Sequence, residues 1–91
     1  SKQALQSIID TQNFWAKHRE EPLMDIDTLS KEQADGLYET IDCGLSPENL
    51  HCDGEISRSA AMAKYRSYMQ AVKELKKRGF PIPSECYEIE E

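Results

Sequence analysis

The stretch from Ser57 to Phe80 constrains the fold of this chain most, because both ends of a helix are marked in it. Ser57 is a suitable N-cap, Gly79 suits the left-handed residue that ends a helix, and Pro81 prevents continuation. Between these signals, apolar residues recur at alternating steps of four and three, which predicts one inward face. These residues are Ala61, Tyr65, Tyr68, Val72 and Leu75.

Two more helices are predicted upstream. The first is predicted at about residues 2–18. Most of its apolar residues fall near one face, namely Leu5, Ile8, Ile9, Trp15 and Ala16, whereas Phe14 lies off that face. We expect Phe14 and Trp15 to pack on the other helices. The alternative is that this helix leaves an aromatic side chain for a partner or for a second copy of the chain.

The second helix, at about residues 31–43, begins at a capping box formed by Ser30 and Gln33. Its apolar stripe is Ala34, Leu37, Tyr38 and Ile41. Gly44, with Leu45 behind it, repeats the stop signal of Gly79 and Phe80.

The segments between and after the helices lack a helical period. Residues 20–29 read as an extended connector whose apolar side chains, Leu23, Met24 and Ile26, cover the bundle. Leu50 and Ile56 are the expected anchors of the loop before the third helix. Residues 81–91 form an extended acidic tail, in which Ile82, Tyr87 and Ile89 are able to dock. The sequence therefore predicts one all-α domain, residues 1–91, in which a helical hairpin (about 31–43 and 58–78) receives the N-terminal helix in a three-helix bundle.

Composition narrows the class of protein. A chain of 91 residues with 38% hydrophobic and 31% charged residues suits one small folded domain. No apolar run approaches the roughly 20 residues of a membrane span, and residues 1–12 lack the order of a secretion signal. Three cysteines, an odd number, fit a reducing compartment better than a disulfide framework. We therefore expect a cytoplasmic protein with no membrane partner.

Charge is distributed unevenly along the chain. The whole chain has a net charge of −6. Residues 58–78 hold seven basic side chains against Glu74 alone, a net charge of +6, so the rest of the chain has a net charge of −12. We expect acidic segments to fold beside this basic helix and neutralise it. The competing interpretation is a stripe that binds phosphates, formed by Arg66, Lys73 and Lys77.

Metal-ligating residue types occur, but without a strong pattern. Cys43, His51, Cys52 and Cys86 are types that zinc accepts, although no C-x-x-C pair is present, and a disulfide between Cys43 and Cys52 is a further alternative. The segment Asn49, His51, Asp53, Gly54, Ile56 and Ser57 resembles the calcium loop of the EF-hand family at its first, third, fifth, sixth, eighth and ninth positions. It departs from that loop at Ala60, where the family has a bidentate Glu, and the Asp-Gly pair is also an ordinary turn.

No catalytic arrangement is readable, because neither His18 nor His51 has an orienting acid that the sequence identifies. We expect a small acidic non-enzymatic protein without cofactor that regulates by protein–protein contact, with inhibition of another protein as one form of it. The alternatives are nucleic-acid binding through the third helix and a helical module stabilised by zinc or calcium. Phe14, Trp15, Arg66, Lys73 and Lys77 are the candidate partner-binding residues, and the first helix is a candidate surface for a homo-oligomer.

Overall fold

The computed structural model describes residues 1–46 and 58–89 of the chain. In these residues the chain forms three helices, no strand and a C-terminal tail. The helices are α1 (Lys2–His18), α2 (Lys31–Gly44) and α3 (Arg58–Lys77). The all-α three-helix fold and the approximate bounds of each helix are thereby confirmed. Ser57, Leu50 and Ile56, for which a cap and two anchors were predicted, lie outside the described residues.

The core is formed where the three helices, the connector and the tail meet. α1 packs most extensively against α3 and runs antiparallel to it: the Ser1 nitrogen donates to the Gln70 carbonyl (2.7 Å), while Thr11, further along α1, lines one cleft with Lys64 of α3. The most completely buried large side chains are Leu5, Ile9, Leu37, Tyr38, Ile41 and Leu75. All four residues of the predicted α2 stripe are buried, so its inward face is confirmed.

The N-terminal cap of α2 and the C-terminal cap of α3 follow the sequence signals. In the capping box of α2, Ser30 Oγ accepts from Gln33 N–H (3.1 Å) and Gln33 Oε1 accepts from Ser30 N–H (3.0 Å). At the end of α3, Gly79 has φ +93°, the N–H of Phe80 donates to the Leu75 carbonyl, and the N–H of Gly79 donates to the Lys76 carbonyl. These two hydrogen bonds form a Schellman motif, which satisfies carbonyls that would otherwise lack a donor.

The tail is attached to α2. Tyr38 Oη donates to the Phe80 carbonyl (2.5 Å), and Asp42 Oδ1 accepts from the N–H of Glu88 (2.8 Å). Cys86 and Ile89 are buried, Ile82 is half-buried, and Tyr87 is 81% exposed. Of the three predicted tail anchors, Ile89 is therefore buried in the core and Tyr87 points to solvent.

Prediction and structure differ in the first half of α3. Tyr65 was expected to face inward, but it is 39% exposed. Between residues 59 and 67 every side chain except that of Ala61 is exposed, whereas Ala71, Val72 and Leu75 are buried, so the other elements cover α3 mainly from about Tyr68 onward. The predicted inward face is therefore correct from Tyr68, which is half-buried, to Leu75, and wrong at Tyr65.

Two local predictions were also wrong. Gly44 does not end α2 in the left-handed conformation; it is the last helical residue, and Leu45 behind it is right-handed (φ −88°, ψ −5°). Leu23 does not cover the bundle but is 57% exposed. Successive side chains of an extended connector point to opposite sides, so Met24 and Ile26 face the core and Leu23 faces away.

Candidate partner-binding surfaces

The second half of α1 carries a cluster of exposed rings, the α1 aromatic cluster, formed by Phe14, Trp15 and His18. Phe14 is 57% exposed and Trp15 is 52% exposed, so the expectation that both pack on the other helices is wrong. The Phe14 ring is edge-on to Trp15 (centroids 5.3 Å apart) and to His18 (4.6 Å). Edge-to-face pairing is a favourable geometry for rings. The three side chains therefore pack against one another at the surface of α1.

Helix geometry explains why Trp15 is exposed. At about 100° per residue, Trp15 lies about 120° around α1 from Ile9, a centre of the buried face. Ala16, one residue further, is half-buried and takes the inward position at this level. The sequence prediction grouped Trp15 with Ile9 and Ala16 on one face. The angle that these three residues span around α1 is too wide for a single buried face.

The surface beside the α1 aromatic cluster is polar with little charge. A shallow groove along the outer side of α1 is lined by Gln3, Gln6, Ser7, Asp10, Thr11 and Phe14. Gln6 donates to Asp10 within it (2.8 Å). Because few charges need to be desolvated there, a partner can cover this groove at low cost.

The predicted basic stripe on α3 is exposed. Arg66, Lys73 and Lys77 are all exposed, and none has an ion pair with any residue in ranges 1–46 and 58–89. At a rise of about 1.5 Å per residue they are spaced about 10.5 Å and 6 Å along the helix. The three cations are thus presented together on one side of α3.

Within residues 1–46 and 58–89, the expected neutralisation of α3 by acidic segments is limited to one residue next to the stripe, Arg78. Its Nε lies 2.8 Å from Glu74 Oε2, and its Nη1 lies 3.7 Å from Asp27 Oδ1 and donates to the Ile26 carbonyl (3.0 Å). The hydrogen bond from Arg78 holds the pKa of Glu74 below its usual value. Arg78 therefore fastens the connector to the end of α3.

The structure describes two of the metal-ligand candidates. Cys43 is exposed on α2, and Cys86 is buried in the tail. Burial first, and then the carboxylates of Asp42, Glu85, Glu39 and Asp35, raise the pKa of the Cys86 thiol. His51, Cys52, Asp53 and the rest of the calcium-like segment up to Ser57 lie outside the described residues. In the described ranges no group of three or more His, Cys, Asp and Glu side chains is placed to hold a metal ion.

A cleft between the three helices is lined mainly by residues that carry a hydroxyl or an amide group. Its volume is about 230 Å³, and it is lined by Ser7, Ile8, Thr11, Gln12, Thr40, Lys64, Ser67 and Tyr68. Two of its hydroxyls are already donors to backbone carbonyls, Thr11 to Ser7 (3.1 Å) and Thr40 to Gly36 (3.0 Å).

His18 is the histidine that the structure describes. In the part of the chain that the structure describes, it has ring contacts with Phe14 and Trp15 and no hydrogen bond to a thiol or hydroxyl.

Sequence reasoning missed the residue that holds the connector against α1. Asn13 donates through Nδ2 to the Met24 carbonyl (2.9 Å) and accepts through Oδ1 from the Met24 N–H (2.8 Å). A side-chain amide can pair with one residue's backbone in this way because it carries both a donor and an acceptor. Apolar periodicity contains no signal for this pair, since both Asn13 and the atoms it binds are polar.

Comparison with known proteins identifies no relative. No family model, no curated protein and no solved structure matches the sequence. None of the helices in the described ranges has the length and apolar character that crossing a membrane requires.

Proposed function

We propose that this chain is a non-enzymatic binding protein that regulates another protein by direct contact through the α1 aromatic cluster. The observation that carries the proposal is the exposure of two large aromatic side chains on one helix, Phe14 at 57% and Trp15 at 52%. Burying one such side chain against a partner is worth roughly 1.5–3 kcal/mol in apolar transfer. Trp is also among the residues that most often dominate the energy of an interface.

The arrangement of the rings supports this role. Each ring is restricted by its edge-to-face neighbour, with centroids 5.3 Å apart for Phe14 and Trp15. Side chains that are already ordered lose less conformational entropy when a partner covers them. The bordering groove adds hydrogen-bonding groups without a concentration of charge, which suits the rim of a protein–protein interface.

The experiment compares the wild type with Phe14→Ser/Trp15→Ser, both immobilised and exposed to an extract of the source organism. A Tyr87→Ser variant is the matched control, because it also removes an exposed aromatic ring, 81% exposed, but from the tail. We expect one protein to be retained by the wild type and by Tyr87→Ser, and to be reduced at least about ten-fold on the double variant. Thermal melts verify that all three proteins are folded.

Three results would contradict the proposal: the same proteins retained by all variants, a loss caused equally by Tyr87→Ser, and no specific retention by the wild type. Sedimentation of the wild type alone tests whether the bound protein is a second copy of the chain. If it is a second copy, the wild type dimerises and Phe14→Ser/Trp15→Ser stays monomeric. The contact is then homo-oligomeric, and the proposal of a different regulated protein is wrong.

A further inference from the structure

The outward side of α3 is a second surface whose chemistry differs from that of α1. We define the α3 outer face as Met62, Tyr65, Arg66, Lys73 and Lys77. All five are exposed, Met62 at 54% and Tyr65 at 39%. On a helix of about 100° per residue, Met62 lies about 20° from Lys73 and about 40° from Arg66, with Tyr65 at the border. Two apolar side chains therefore lie within or beside a row of three cations.

The cations of this face form no ion pair in the described part of the chain, and the charge of Lys77 acts on one carboxylate only by helping to lower the pKa of Glu74. Arg66, Lys73 and Lys77 have no ion pair within residues 1–46 and 58–89, whereas Arg78, next in sequence, has two carboxylates. Two acids are engaged elsewhere, since Asp27 of the connector pairs with Arg78 and Asp42 accepts from the N–H of Glu88 in the tail. The cations of the α3 outer face are thus available to anions of another molecule.

The composition of the face restricts what can cover it. A second copy related by a two-fold axis would place these cations against their own equivalents, which is repulsive. A nucleic acid would complement the cations, but its phosphate backbone offers no apolar surface to Met62.

We propose that the α3 outer face docks an acidic amphipathic helix of a partner protein. Apolar side chains of that helix cover Met62 and Tyr65, and its carboxylates pair with Arg66, Lys73 and Lys77. Packing of one helix against an exposed face of another, with apolar anchors at helical spacing, is an established mode of peptide recognition. The proposal goes beyond the function assigned to α1, since it concerns another helix and other residues.

The test uses four fluorescent probes and measures their anisotropy with the full chain. The probes are an acidic Glu/Leu peptide of about 18 residues with Leu at helical spacing, a scrambled peptide of the same composition, and single- and double-stranded DNA of about 18 nucleotides or base pairs. Each is titrated at about 20 mM and about 200 mM salt, so that charge and apolar contributions separate.

Three variants locate the contact. Arg66→Glu/Lys73→Glu reverses two charges, and Met62→Ser/Tyr65→Ser removes the apolar part. Lys17→Glu/Lys31→Glu makes the same change in net charge from two exposed residues outside the face. We expect the ordered peptide to bind at least about ten-fold tighter than the scrambled one, and both face variants to weaken it by about ten-fold or more. The control should change it by less than about three-fold.

Four outcomes would overturn the proposal: tighter binding of either DNA than of the ordered peptide, equal binding of the scrambled peptide, no effect of Met62→Ser/Tyr65→Ser, and no binding of the ordered peptide. The first three would indicate a general polyanion surface. Phe14→Ser/Trp15→Ser should leave this binding unchanged. Failure at the α3 outer face is therefore distinguishable from failure of the function proposed for α1.

Discussion

Gly44 tests the packing of α2 against α3, because a Cβ added there would collide with one side chain. The Cβ would lie 2.7 Å from Tyr68 Oη and 2.8 Å from Tyr68 Cε2 and Cζ. Ordinary contact begins near 3.4 Å, so the ring must move by 0.6–0.7 Å. Overpacking typically costs about 1–3 kcal/mol, and the half-buried ring of Tyr68 can move toward solvent, which places the cost near about 1–2 kcal/mol.

The helix propensity of Ala offsets part of this cost. Replacing Gly by Ala in a helix stabilises it by up to about 1 kcal/mol, and by less in the last turn. Gly44→Ala should therefore destabilise the wild type by about 0.5–1 kcal/mol. In a Tyr68→Ala background the same change should be neutral or stabilising. The coupling between the two positions should then be about 1–2 kcal/mol.

Urea denaturation followed by far-UV circular dichroism measures the four free energies of this double-mutant cycle. Gly36→Ala is the matched control on the same helix, since its Cβ meets no atom within 4 Å and should stabilise α2 by about 0.5–1 kcal/mol. A coupling of zero would refute the reasoning. It would mean that Gly44→Ala changes the free energy of unfolding equally with and without the Tyr68 ring. The cost would then come from backbone strain at position 44, as it does where Ala replaces a left-handed glycine, and not from a clash with the ring.

Three further predictions concern other parts of the molecule. Glu20 has φ +55° at the end of α1, so Glu20→Gly should raise the free energy of unfolding in urea by about 0.5–1 kcal/mol; a loss would contradict it. Tyr38→Phe leaves the Phe80 carbonyl without this donor and should lower that free energy by about 1–1.5 kcal/mol, while an unchanged value would mean that the hydrogen bond contributes nothing. The raised pKa of the Cys86 thiol means that the folded chain keeps a proton that the unfolded chain loses above roughly pH 8.5. Stability relative to Cys86→Ala should therefore be constant below that pH and fall above it; no difference in slope would contradict this.

The ends of α1 and α3 illustrate how much of the fold is readable from the sequence. Both helices end in a Schellman motif: at α3 the left-handed residue is Gly79, and at α1 it is Glu20, whose N–H donates to the Lys17 carbonyl while that of Glu21 donates to the Ala16 carbonyl. Gly79 was recognisable because glycine adopts positive φ without steric cost. Glu20 was not, because the conformation there is imposed by the two hydrogen bonds and by Pro22 beyond them. At α1 only the position of the end was predictable.

The candidate surfaces were less predictable than the helices, because exposure depends on how far neighbouring elements reach. Periodicity places Tyr65 and Leu75 on one side of α3, yet one is 39% exposed and the other fully buried. The difference arises from which part of α3 the other elements cover, and the apolar period of α3 carries no information about that. Trp15 is exposed for a different reason, since it lies about 120° around α1 from Ile9 and Ala16 takes the inward position beside it. A periodic pattern therefore states which residues are able to share a face. Whether that face becomes core or surface is decided by the elements that pack against it, so partners of such small bundles are to be sought at the large apolar side chains that this packing leaves exposed.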